Sequence, residues 1–414
     1  MPLISLWDTN PDAISQLTVE QVVGTAGDGN LKDDNDCSSE LRQFLSQVPS
    51  HRLFSYIDQC LTSSFQRSGL VLQDLVNELG RRLDYEVTNG RYLGRVNAIG
   101  HDGIWKAPDG YHLVIEVKTT DAYRISLDTV AKYRSNLLSQ NIIDEPSSIL
   151  IVVGREDTGD LEAQVRGSKH AWDIRLISTD ALANLVQLKE STEEPETVKK
   201  IRSLLAPFEY TKLDNIIDVM FTTATDVGTA TEGEAVAGPE GNVDSEALEH
   251  KTSKSRYQFT DSATLQRKRE EIIEAVSKHE GTKLIQKTRA LYWDAAHETR
   301  VACTVSKRYD RNVPYWYAYH PQWQEFLKDG TKSFLVLGCM DLNTAFVIPH
   351  RVLQDQLKNM NVTVRTDTRE SYWHIKILEP TTGKYALQLP KLSDSMPIDE
   401  YRLPEITPLS GLKS

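Results

Sequence analysis

Asp102, Glu116, Val117 and Lys118 are the residues of this chain whose types and spacing could do chemistry together. Two carboxylates and one amine suit hydrolysis of a phosphate ester with the help of a divalent cation. Magnesium is a hard ion that prefers carboxylate oxygens and keeps several waters, so two acids and one main-chain carbonyl, here that of Val117, are adequate anchorage. A lysine two positions beyond the second acid can orient or deprotonate the attacking water, or neutralise charge on phosphorus in the transition state. An arginine at 118 could not act as a base, because its proton does not come off in a protein. Acid, apolar, base triplets also occur on strands with one solvated face. Here, however, the triplet closes the apolar run Leu113-Val114-Ile115, and Asp102 sits between Gly100 and Gly103, where backbone can approach a ligand closely.

The surrounding sequence supplies elements able to converge these groups. Gly103-Ile104-Trp105, the turn Ala107-Pro108-Asp109-Gly110 and Leu113-Val114-Ile115 read as a hairpin whose second strand is buried. Side chains alternate along a strand, so Glu116 and Lys118 point one way and Val117 the other, into the core. Asp102, expected near the end of the preceding strand, then faces the pair across the sheet. A helix over 70–83, with Leu70, Val71, Leu75, Leu79 and Leu83 apolar, and a strand at Tyr85-Glu86-Val87 come before. A helix over 127–139 carrying Lys132, Tyr133 and Arg134 follows, then buried strands at 148–154 and 172–178. The polar segment between those strands reads as a binding loop in which Arg155, Arg166, Lys169 and His170 could meet phosphate, Arg166 foremost.

The order of helix, strand, Asp102, hairpin, Glu116-Val117-Lys118 and helix resembles the PD-(D/E)XK restriction-endonuclease-like superfamily of metal-dependent nucleases, over roughly residues 65–190. Asp102 matches its first motif aspartate, Glu116 its second acid and Lys118 its lysine, while Gly100-His101 stand where the motif's proline would precede the aspartate. The resemblance implies an α/β (α+β) fold with a mixed sheet flanked by helices. It further implies catalytic roles for Asp102, Glu116 and Lys118, with Mg2+ (Mn2+ as a substitute) held by Asp102, Glu116 and the Val117 carbonyl. The implied substrate is DNA, double-stranded favoured, in restriction or phage defence. Many relatives, including Mrr-type restriction proteins, carry a glutamate on the first helix. That position falls on Gln73, with Glu78 five residues later, and both are accessory candidates. The helix after the lysine often adds a polar contact, for which Tyr133 or Arg134 is expected. Cutting both strands usually needs two centres, so a homodimer or higher homo-oligomer is expected. A non-catalytic module binding nucleic acid or protein on the same fold, and an RNA-directed nuclease, are the alternatives.

Composition bounds the rest. A chain of 414 residues with 39% hydrophobic content can build two cores. No apolar run reaches membrane-spanning length, and the start, with Asp8 and Asp12, does not read as a signal peptide. The four cysteines, at 37, 60, 303 and 339, lack the spacing of a zinc or iron-sulfur site, so a cytoplasmic setting is expected. The net charge of −12 is unevenly spread: residues 257–414 hold 22 Lys and Arg against 19 Asp and Glu, a balance of +3, which leaves −15 for residues 1–256. The later segment is therefore the expected docking surface for nucleic acid. Residues 1–64 read as a helical extension packed on the nuclease-like domain 65–221, with helices near 38–47 and 51–65 and with Arg42 and Arg52 as surface charge. A glycine-rich loop at 24–30 lacks the lysine and spacing of a phosphate loop. Residues 222–256, without aromatics and rich in Gly, Ala, Thr and acids, read as a flexible acidic linker.

Residues 257–414 read as a second, smaller α+β domain that recognises the target or a partner protein. Helices are expected over 261–279, 321–328 and 350–358, and strands at 300–305, 314–319, 333–338 and 373–378. The segment 306–312 interleaves cations with a ring, the composition of a nucleic-acid contact loop, with Lys307 and Arg308 as contact candidates. Tyr315, Tyr317 and Tyr319 share one face of their strand, which makes them core. His320, His350 and His374 lack ligand spacing and read as structural.

Overall fold

A computed structural model of the chain describes residues 2–63, 65–92, 100–119, 125–154, 158–207, parts of 217–223, 262–309, 313–364, 371–404 and 406. The fold is mixed α/β, and the chain divides into two compact units, Met1–Ala224 and Thr225–Ser414. Of the linker expected at 222–256, Thr222 and Thr223 are helical and the remainder lies outside the described residues. No helix among the described residues is long and apolar enough to cross a membrane.

The first unit opens with helices α1 (Pro2–Thr9), α2 (Pro11–Ser15), α3 (Val19–Thr25), α4 (Asp36–Leu45), α5 (Ser50–Thr62) and α6 (Ser68–Arg82). Their starts are written in the sequence: the Thr18 hydroxyl and the Gln21 side chain form a reciprocal capping box on α3, and the Asn35 side chain caps α4. Strands β1 (Glu86–Asn89), β2 (Gly103–Lys106) and β3 (His112–Lys118) follow, then α7 (Leu127–Ser139), β4 (Ser147–Val153), α8 (Gly159–Arg166), β5 (Ile174–Ser178), α9 (Thr179–Ser191) and α10 (Pro195–Ser203). The sheet runs in the order β1-β2-β3-β4-β5, antiparallel from β1 to β3 and parallel from β3 to β5. Trp105, Leu113, Ile115, Leu150 and Val152 pack with the N-terminal helices on one face, and Ile104, Val114, Ile149, Ile151 and Val153 with α7 and α8 on the other. Covered on both faces, β4 has no need of polar alternation. The segment expected as a polar loop after β4 instead contains α8. The last strand starts later than its sequence suggested, because Trp172 lies in a turn and is 66% exposed.

Helix α6 carries Val71, Leu72, Leu75, Val76 and Leu79 at helical spacing, yet Gln73, Asp74, Asn77, Glu78 and Arg82 are buried as well. Burying a neutral amide unpaired costs roughly 2–7 kcal/mol and a charge far more, so each needs a partner. Asp74 receives Arg42 Nε at 2.9 Å and the Tyr92 hydroxyl. Arg42 is therefore the half-buried partner of a buried carboxylate rather than free surface charge, and Arg52 lies over the Tyr56 ring. Glu78 accepts from Arg82 at 2.9 Å and Arg81 at 3.3 Å, and Arg82 also donates to the carbonyls of Leu45 and Val48 at the end of α4.

The second unit contains α11 (Ser262–Glu280), β6 (Ile285–Gln286), β7 (Leu291–Trp293), β8 (Thr299–Ser306), β9 (Tyr315–Tyr319), α12 (Pro321–Lys328), β10 (Lys332–Cys339), β11 (Ala345–Pro349), α13 (His350–Gln356), β12 (Val362–Val364), β13 (Ser371–Thr381), β14 (Lys384–Leu389) and β15 (Asp394–Pro397). One sheet has the order β11-β10-β8-β7-β6; the other joins β12-β13-β14-β15, with β9 paired to β13. Tyr315, Tyr317 and Tyr319 meet Leu335, Leu337, Ile375 and Ile377 in one core, and α11 covers the other face of the first sheet through Ile272 and Val276. His374 accepts from Trp316 Nε1 at 3.0 Å through Nδ1, so its proton sits on Nε2 and is donated to Thr363 Oγ1. The four cysteines are buried and form no disulfide with one another.

Removing Arg82 leaves the Glu78 carboxylate and two main-chain carbonyls without their principal donor. Arg82→Ala is expected to lower the unfolding free energy by about 3–5 kcal/mol, and Lys118→Ala, at the open end of β3, by under about 1 kcal/mol, both read from urea midpoints.

Candidate active site

The hairpin brings Asp102 to the far end of β3. Gly103 pairs with Ile115, and Asp102 N–H donates to the Ile115 carbonyl at 2.9 Å, so Asp102 stands immediately before β2 rather than near a strand end as expected. An antiparallel hairpin sets the start of one strand against the end of the next, which is why the position still works. Beyond Ile115 the two edges of β3 differ. On one edge β4 stays paired through Lys118 and Val153, and Gly154 N–H reaches the Lys118 carbonyl at 2.8 Å. On the other edge β2 is gone, and the Asp102 carboxylate takes its place: Oδ2 accepts the Val117 N–H at 2.6 Å. Because N–H and C=O of one strand residue point to the same side, the Val117 carbonyl also faces this open edge.

Alternation places Asp102, Glu116 and Lys118 on the face of the sheet that carries Ile104 and Val114 and packs against α7. Lys118 Nζ lies 2.5 Å from Glu116 Oε1, with the lysine side chain one-third exposed and the glutamate 13% exposed. The Asp102 carboxyl is pushed up to about 7, first by burial and then by the negative charge of Glu116, against the opposing pull of the Val117 N–H and the Lys118 ammonium. A buried carboxyl beside a second acid is a setting that a divalent cation would relieve. Oδ1 of Asp102, the Glu116 carboxylate and the Val117 carbonyl are the oxygens here that could hold a hard cation such as Mg2+ or Mn2+. Among the described residues no group of three His, Cys, Asp or Glu side chains converges to hold a metal, so the site offers two carboxylates and main chain.

The Asp102 backbone is gripped from α6. Its carbonyl accepts three hydrogen bonds, from Gln73 Nε2 at 3.0 Å, Asn77 Nδ2 at 2.8 Å and Gly90 N–H at 2.9 Å. Asn77 Oδ1 in turn accepts from Trp105 Nε1 at 2.9 Å. Gln73, an accessory candidate, thus bears on the main chain of Asp102 and not on its carboxylate. Glu78 is paired with Arg81 and Arg82 toward α4 and is not brought to the site. Asn77 and Trp105 were missed; the available signal was a pair of amide side chains four residues apart on an otherwise apolar helix.

Other candidates separate cleanly. The Tyr133 ring packs on Gly100, where a Cβ would come within 2.8 Å of it, so this α7 residue borders the site. Arg134 is at the opposite end of β4, bonded to Ser147, Glu145 and Asp173. Arg166 is exposed beside Glu162 on α8, and Lys169 and His170 both meet Asp128 at the start of α7. Arg155 and residues 310–312 lie outside the described residues. In the second unit Arg308 is neutralised by Asp341 at 2.6 Å and Glu379 at 2.8 Å, and Lys307 lies 5.5 Å from the Tyr309 ring centre. His101, next to Asp102, is held toward its neutral form by burial.

No protein-family model matches this chain, and no curated protein matches it.

Because the folded state raises the Asp102 carboxyl from an ordinary value near ~3.9 to about 7, folding favours its protonated form. Its contribution to stability is most favourable below the lower value, declines as pH rises through this window and is level above it. In EDTA, the melting temperature of Asp102→Asn relative to the unsubstituted protein is therefore expected to climb from about pH 4 to about pH 8. A flat difference across that range contradicts the assignment.

Proposed function

We propose that the first unit is a metal-dependent endonuclease of the PD-(D/E)XK kind that hydrolyses DNA phosphodiester bonds. The observation that carries this reading is the convergence of Asp102, Glu116 and Lys118 on one sheet face at the open edge of β3, with the Val117 amide held by Asp102. The element order α6-β1-β2-β3-α7-β4, antiparallel and then parallel, supports the same restriction-endonuclease-like arrangement.

Asp102, Glu116 and the Val117 carbonyl would hold Mg2+, which supplies Lewis-acid polarisation of the phosphate and a lowered pKa for water. Lys118, beside Glu116, would orient the attacking water, and as the neutral amine, after losing its own proton to solvent, would take up the water's proton. The water oxygen bonds to phosphorus as the bond from phosphorus to the 3′ oxygen breaks in line, and that oxygen leaves with a proton drawn from solvent water. Tyr133 on α7 borders the path of the substrate. Phosphate attraction falls mainly to the less acidic second unit, where target or partner recognition is assigned. A role in restriction or phage defence and a dimeric assembly, which would pair two centres across a duplex, belong to the same proposal.

One observation favours a second reading. The Lys118 ammonium already satisfies Glu116, which suits a binding module whose carboxylates are relics. Incubating supercoiled plasmid with the protein and Mg2+ decides between them. Nicking or linearisation that falls about 100-fold or more in Lys118→Ala and Asp102→Ala is expected. Equal inactivity of all three proteins, with DNA still retained on a filter, establishes the binding module. Labelled single-stranded RNA in parallel identifies an RNA nuclease, and modified beside unmodified phage DNA reads out restriction.

A further inference from the structure

Five of the hydrogen-bonding contacts on Asp102 can be traced. Its N–H goes to the Ile115 carbonyl, Oδ2 takes the Val117 N–H, and its carbonyl takes Gln73, Asn77 and Gly90. A carbonyl oxygen has two lone-pair directions, and three donors on it fix both the peptide plane and the depth of the residue between α6 and β3. Two of those donors are buried side chains of one helix, Gln73 and Asn77, four residues apart and therefore stacked on one face. Asn77 cannot swing away, because its other end is tied to Trp105 Nε1.

The packing around this clamp is cut to fit. Trp105 is fully buried and lies against Gly80, where any Cβ would fall 2.5 Å from its ring. A Cβ at Gly103 would fall 2.2 Å from Asn77 Oδ1, so only glycine lets the amide reach past β2 to Asp102. Gln73, Asn77 and Gly80 thus make one stripe of α6 turned to the start of β2. An apolar stripe would have sufficed for packing. The buried amides instead aim at the residue whose carboxylate closes the open edge of β3.

We propose that Asn77, with Gln73, is a positioning residue that sets the Asp102 carboxylate against Val117 and beside Glu116, and that this placement governs cation affinity and turnover without contributing to DNA affinity. The inference rests on the nuclease reading for its effect on turnover, but its structural claim has its own readout. The Val117 N–H bonds directly to Asp102 Oδ2, so its hydrogen exchange reports whether the carboxylate is in place.

The test uses the full chain and the double variant N77L/W105F, which removes donor and acceptor together and leaves no buried N–H stranded. Residue-resolved exchange by NMR is expected to show the Val117 amide quickened about ten-fold or more, with Val114 and Val152 amides unchanged. Mn2+ affinity by calorimetry is expected to fall about 10- to 100-fold, and kcat to fall with KM for plasmid unchanged. An unaltered Val117 amide in the folded variant overturns the proposal. So does a uniform quickening of β3 and β4, which marks Asn77 as general packing. Should the double variant fail to fold, Q73M, which deletes one of the three donors and keeps the Asn77 and Trp105 pair, is held to the same criteria. An unsubstituted protein that cleaves nothing sinks the nuclease reading and leaves the Val117 measurement standing.

Discussion

The structure of the first unit depends on a helix that has no exposed side to speak of. Helix α6 is packed by the N-terminal helices and by the sheet, so every polar side chain on it must find a partner inside the protein. The partners are spread over the fold: Arg42 on α4 and Tyr92 after β1 for Asp74, Arg82 and the end of α4 for Glu78, and Asp102 for Gln73 and Asn77. One buried element thereby ties the helical N-terminal region to the residue that begins β2. Helices α1 to α5 are for this reason an integral wall of the unit; they share a single core with α6 and the near face of the sheet.

The second constraint is electrostatic. A sheet that changes from antiparallel to parallel at β3 leaves one edge of that strand bare where β2 starts and β4 continues. Bare main-chain donors invite a carboxylate, and Asp102 fills the role. Burial in this dry setting raises the Asp102 carboxyl to about 7, and a second acid, Glu116, on the same face adds repulsion. Lys118 lightens that burden without cancelling it. Structural satisfaction and the proposed cation site therefore rest on the same few atoms.

Much of this was legible in the residues, and the exceptions have physical causes. Helices over 70–83 and 127–139 announced themselves through spacing and occur as Ser68–Arg82 and Leu127–Ser139. The hairpin was readable from Pro108-Asp109-Gly110 between apolar runs, with Gly110 in the left-handed region at φ +90°. Arg42 and Arg308 are charged residues that look exposed in one dimension yet are consumed by partners far away in sequence, whereas Glu78 is consumed by Arg81 and Arg82 one turn along its own helix. Arg42 and Asp74 are 32 residues apart, and Arg308 and Glu379 are 71 apart. Asn77 escaped because its importance lies in reaching a main-chain carbonyl, a contact that leaves no pattern of its own.

The turn between β2 and β3 has an arithmetic side. Neighbouring residues of a strand face opposite layers, so Asp102 shares a layer with Glu116 only while the count of residues across the hairpin keeps its present parity. A single insertion or deletion that shifted the pairing by one step would send the aspartate toward α6 and hand its place to a neighbour. Length change at this tip keeps Asp102 beside Glu116 as long as it is absorbed in the loop or as a bulge beyond Lys106, without a one-step shift of the pairing.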